Sequence, residues 1–247
     1  MCVYVKPREL AVLKMGRRAS TADYEGAINV LQEKVLAIHG FVSKQAGWPA
    51  YLRPHWQSSR MISHRFVTNH AGRTELQLEL SYGKTEDELR QLLRNFAFPS
   101  VGAHTFWQSA LLGIRLTCTH WQVLFSLGER AWFESSNLRN KVMASRANEI
   151  MLINLLRDLF SHGFWLKDNF QARGIGEDAS KAEIIWLLRS FQSATGQLYL
   201  CKSYSHTDRA VSQTRIFQEL YSQLQLLLPL YEYVRWSPAN DFVSPWS

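Results

Sequence analysis

Between Lys34 and Thr74 the chain carries no aspartate or glutamate. The same stretch holds Lys34, Lys44, Arg53, Arg60, Arg65 and Arg73, the histidines His39, His55, His64 and His70, and the aromatics Phe41, Trp48, Tyr51, Trp56 and Phe66. Cations neutralise phosphates and release their counterions, while flat rings and guanidinium planes stack on bases. The side chains suited to nucleic-acid contact, RNA or DNA, are therefore Lys44, Arg53, His55, Trp56, Arg60, Arg65 and Arg73. A competing reading puts the aromatics in the core and leaves the basic groups solvated or paired with acids from elsewhere in the chain.

Carboxylates follow directly. Glu75, Gln77 and Glu79 alternate with Leu76, Leu78 and Leu80, so they share one face of a strand, with Lys84 nearby. Paired carboxylates can hold a divalent metal for phosphodiester cleavage, which would make a metal-dependent nuclease. Alternation by itself predicts that this face is solvated, and no third acidic ligand stands at a recognisable spacing. Arg157 and His162 resemble, in spacing alone, the R-x4-H pair of HEPN-type ribonucleases. Such domains are all-helical, this chain has strand patterns, and Arg115 and His120 repeat the spacing. His162 is more simply a helix-end histidine favoured by the helix dipole.

Other catalytic signatures are missing. Gly174-Ile175-Gly176 lacks the third glycine of a dinucleotide fingerprint and the Lys-Ser/Thr of a phosphate loop. Serine nucleophile elbows, H-E-x-x-H and paired-cysteine motifs are absent, so no catalytic residue, metal site or cofactor is assigned. The cysteines Cys2, Cys118 and Cys201 are odd in number and far apart, which fits reduced thiols in a cytoplasmic protein, the latter two as small apolar strand residues. No secretory leader or membrane span is expected.

The elements that position these residues are legible from periodicity and caps. Ser20 or Thr21 can open a helix through Ile28, Leu31, Val35 and Ile38, ending near Gly40. Strands are expected over Met61–Thr68 and Thr74–Tyr82, joined as a hairpin. Thr85 and Glu88 match a capping box opening a helix to Phe96. Leu111 to Leu127 reads as a second hairpin or one bent strand, and Val142 to Phe160 as a helix. Phe164-Trp165-Leu166 reads as a short strand, and Ser180 with Glu183 as a second capping box opening a helix through Phe191. A strand over Gln197–Tyr204 and a helix from Gln213 to Leu228, broken at Pro229, complete the chain.

The implied fold is α+β: helices packed on a largely antiparallel sheet, with an alternating β-α-β-α C-terminal section. A single compact domain over 1–247 is favoured, with a subdivision into a basic section 1–145 and a section 146–247 as the alternative. Residues 1–128 hold 15 Lys and Arg against 9 Asp and Glu, whereas residues 129–247 hold 13 against 12. That asymmetry favours a non-enzymatic subunit of a larger assembly that contacts nucleic acid or another anionic partner through its first half. The alternatives are the nuclease and a protein–protein scaffold using the 9 tryptophans and the C-terminal tail from Ser237 to Ser247.

Overall fold

A computed structural model describes residues 5–14, 22–55, 61–68, 72, 74–95, 105–128, 131–167, 174–190, 198–212 and 215–243. Helices and an antiparallel sheet make up the architecture, as an α+β chain requires. In chain order the helices are α1 (Pro7–Lys14), α2 (Ala22–Val42), α3 (Glu86–Asn95), α4 (Trp132–Ala144), α5 (Arg146–Ser161), α6 (Lys181–Ser190) and α7 (Arg215–Val234). The strands are β1 (Arg53–Pro54), β2 (Ile62–Thr68), β3 (Thr74–Gly83), β4 (Ala110–Leu116), β5 (His120–Leu127), β6 (Trp165–Lys167) and β7 (Leu198–Ser205). The sheet order is β1-β3-β4-β5-β7-β6, and β2 pairs with β3. The C-terminal section runs β6, α6, β7, α7, with β6 and β7 paired antiparallel rather than joined as a parallel unit.

The chain divides into two compact units, one of Met1–Tyr82, Gly113–Val123 and Ser203–Gln225, the other of Gly83–Leu112, Leu124–Lys202 and Leu226–Ser247. In the first, Leu31, Val35 and Ile38 of α2 are fully buried, as their helical spacing demands, and so are Leu78, Leu80 and Tyr82 of β3. The helix α2 runs past Gly40 to Val42, because Ile38 and Val42 are both wholly buried and hold the last turn in place. Its expected cap, Ser20 or Thr21, lies outside the described residues. The β2–β3 hairpin is present, with Arg65 opposite Gln77 and Ser63 opposite Glu79.

In the second unit both capping boxes close reciprocally. The Thr85 backbone N–H donates to Glu88 at 2.9 Å and the Glu88 N–H to Thr85 Oγ1 at 3.2 Å, and Ser180 and Glu183 do the same at 2.8 and 3.2 Å. Where one helix was expected from Val142, the chain makes two, α4 and α5, separated by Ser145 in an extended conformation. Ser145 caps α5, its hydroxyl accepting from the Asn148 N–H at 3.2 Å. The helix α7 likewise continues through Pro229 instead of stopping there. Proline forfeits one helical hydrogen bond, but Leu230, Tyr231, Tyr233 and Val234 beyond it are all buried, and that apolar burial outweighs the loss. Gly174 sits where a Cβ would come within 2.8 Å of the Trp165 ring, so the loop can approach β6 closely enough for Ile175 to bridge Leu166.

Cys201 is buried in β7, whereas Cys118 occupies the β4–β5 turn, its thiol donating to Glu75 at 3.3 Å. Among the described residues no helix is long and apolar enough to cross a membrane.

Candidate functional site

Of the residues singled out for nucleic-acid contact, Trp56, Arg60 and Arg73 lie outside the described residues. Lys44, in the turn after α2, and Arg53, in β1, are exposed and form no ion pair among the described residues. His55 is buried at 8% exposure, and that burial lowers its pKa and disfavours the charged ring. Arg65 is half-buried and committed to an internal partner.

That partner is Glu79. Instead of facing solvent as strand alternation implies, its side chain is 1% exposed. Arg65 reaches it diagonally across the hairpin at 3.3 Å, Arg115 of β4 at 2.8 Å, and Ser81 Oγ donates to its other oxygen at 2.9 Å. Burial alone would raise the carboxyl pKa, but the Arg115 and Arg65 charges and the hydrogen bonds from Arg115 and Ser81 bring it down to about 2. At neutral pH this carboxylate is a buried anion that neutralises the inner end of a basic strand pair. With its oxygens so occupied, it does not join Glu75 in a two-carboxylate metal face. Among the described residues no three of His, Cys, Asp and Glu converge as a metal site. His162 caps the end of α5, its Nδ1 2.8 Å from the Asp158 carbonyl oxygen, as its helix-end position predicts.

A site that the sequence reading missed lies in the second unit, where α4, α5 and α6 line a groove of about 1230 Å³. The helix α4 contributes Ser135, Leu138, Arg139, Val142 and Met143, a stripe at helical spacing, while α5 contributes Arg146, Glu149, Leu152 and Ile153, and α6 contributes Lys181, Ala182, Ile185 and Trp186. Leu138, Leu152 and Ile153 are buried and form an apolar floor. At the rim, Met143 is 78% exposed and Trp186 61%. With Met151 of α5 at 54%, these are the most exposed large apolar side chains among the described residues. Clustering of this kind marks interaction surfaces in a way that scattered apolar residues do not.

The rim is also charged. Lys181 pairs with Glu149 at 3.4 Å, whereas Arg139 and Arg146 are exposed and have no ion pair among the described residues. Three cations against one acid leave the groove net positive.

Buried polar residues explain why α4 is hard to read. Its buried residues Glu134, Ser135 and Asn137 are polar, at 1%, 2% and 0% exposure, and each is hydrogen bonded. The segment after α7 fastens there. The Phe242 N–H donates to Asn137 Oδ1 at 2.8 Å, and Lys141 Nζ donates to Asn240 Oδ1 at 2.7 Å while lying 4.0 Å over the Tyr233 ring. Trp236 is buried against Leu92 and Phe133. The tail through Val243 thus packs on its own unit, and among the tryptophans whose side chains are described Trp186 is the exposed one, since Trp121 and Trp236 are buried and Trp48 and Trp165 half-buried. No protein-family model matches the chain, and no curated protein matches it either.

Proposed function

We propose that this chain is a non-enzymatic subunit of a larger assembly and that it docks a partner protein through the α4–α6 groove. The observation that carries this reading is the pair of rim residues, Met143 and Trp186, held largely in solvent above an apolar floor. Exposed tryptophan and methionine are costly to leave in water and are typical anchors of protein interfaces. A cytoplasmic setting goes with this proposal, supported by the reduced thiol of buried Cys118, which donates to Glu75.

The reading is tested by affinity capture from the source cells with the intact chain and with a Met143→Ser, Trp186→Ser variant. Both side chains are exposed, so the variant should keep its fold to within about 0.5 kcal/mol. Recovery of a discrete co-purifying protein should fall at least tenfold. Wild-type recovery on the variant, or no discrete partner at all, would overturn the reading.

A second reading keeps the basic first half as a contact for nucleic acid, supported by exposed Lys44 and Arg53 in the acid-free stretch. Titration with labelled single- and double-stranded DNA and RNA should then give salt-sensitive binding that weakens at least tenfold in a Lys44→Glu, Arg53→Glu variant. Salt-insensitive binding, or a variant equal to wild type, removes it.

A further inference from the structure

We infer that the occupant of the α4–α6 groove is an acidic amphipathic α-helix presented by another protein, an inference that rests on the docking role proposed above. Size is the first argument. Sites for small molecules enclose roughly 300–1,000 Å³, and this groove holds about 1230 Å³ and is open to solvent. A helix with side chains is about 10 Å across, a cross-section of roughly 80 Å², so the volume corresponds to about 15 Å of helix, or roughly ten residues. That is the length over which apolar residues at i, i+3, i+4 and i+7 form one stripe.

Backbone accounting is the second argument. All three walls are helices, whose mid-helix N–H and C=O groups are already paired with one another. An extended peptide would bring its own amides into an apolar trough with no sheet edge to pair with, leaving polar groups unsatisfied. A helical partner satisfies them internally and presents only side chains to Leu138, Leu152 and Ile153.

Charge is the third argument. Arg139 of α4 and Arg146 of α5 stand at the rim without acidic partners among the described residues, while Lys181 already holds Glu149. Arg146 is also the first residue of α5, where the helix dipole adds positive potential. A partner whose apolar stripe is flanked by Asp or Glu can pair with both arginines, whereas a basic helix would be repelled.

The test selects displayed random 14-residue peptides on the intact chain, then measures synthesised winners by fluorescence anisotropy and circular dichroism. The expected winners carry an excess of Asp and Glu beside an i, i+3/i+4, i+7 apolar stripe and become helical when bound. Their affinity should fall at least tenfold on an Arg139→Glu, Arg146→Glu variant, and more so at low salt. Winners that need Trp186 but show no acidic excess, or that bind the charge-reversed variant as tightly as wild type, overturn the inference and leave the docking role standing. If no selected peptide loses binding on Trp186→Ser, both fall.

Discussion

Replacing Glu134 with alanine is expected to destabilise the second unit by about 3–5 kcal/mol. The carboxylate is 1% exposed and holds three donors: Lys84 Nζ at 2.5 Å, the backbone N–H of Trp236 at 3.2 Å and the backbone N–H of Ala110. Alanine leaves an ammonium that is itself 2% exposed without a counter-charge, and it leaves two backbone donors unpaired. It would also remove the side chain that bonds to both the start of β4 and Trp236, just after α7. Urea unfolding followed by tryptophan fluorescence measures the loss. Adding Lys84→Met to Glu134→Ala should recover part of it by removing the stranded charge, while the orphaned N–H groups of Ala110 and Trp236 keep the double variant below wild type. A single-variant cost under about 1 kcal/mol would mean that water replaces Glu134 without strain, and would refute the assignment.

The Glu79 cluster should make the first unit acid-sensitive in a defined window. Its carboxyl titrates near 2 in the folded chain, against an ordinary value of 4.5. A group whose folded pKa is depressed contributes its stabilisation fully above the unfolded value and loses it as pH falls through the folded one. The contribution, about 3 kcal/mol from a difference of this size, is therefore present at pH 6 and lost progressively between about pH 5 and 2. Glu79→Gln should be less stable than wild type by about that amount at pH 7, because Arg65 and Arg115 then face each other without an anion. The two proteins should converge toward pH 2. Other depressed carboxyls, such as Glu9 and Glu183, are common to both and cancel in the comparison. Parallel stability curves from pH 6 to 2 would refute the assignment of this window to Glu79.

Both clusters bear on how a basic chain partitions its charge. Two arginines of the first half, Arg65 and Arg115, serve an internal anion, and only Lys44 and Arg53 of the described candidates are left to meet a partner. In the second half the balance is nearly even, yet Arg139 and Arg146 stand at the mouth of a groove with no ion pair among the described residues. Net charge per segment therefore does not locate the surface most able to bind.

What could be read from the chain alone was whatever depends on near neighbours. The capping boxes at Thr85 and Ser180, the β2–β3 hairpin, the buried stripe of α2 and the α+β class all follow from spacings of a few residues, because backbone donors and side-chain periodicity act over one turn or one pleat. Tertiary structure decided the rest. Glu79 has the sequence signature of a solvated strand face, and only the arrival of Arg115 from β4, 36 residues away, makes its burial tolerable. The helix α4 shows no clean apolar face because it buries Glu134 and Asn137, whose partners at Lys84, Ala110, Val234 and Phe242 lie far off in the chain. Pro229 reads as a stop until the burial of Tyr231 and Val234 beyond it is known. The groove has no local signature at all, since three helices each contribute a few residues and the exposed Met143 and Trp186 are unremarkable until they share a rim. Long-range burial of polar groups can be stabilised only by partners that the fold brings in, and a one-dimensional pattern cannot contain them.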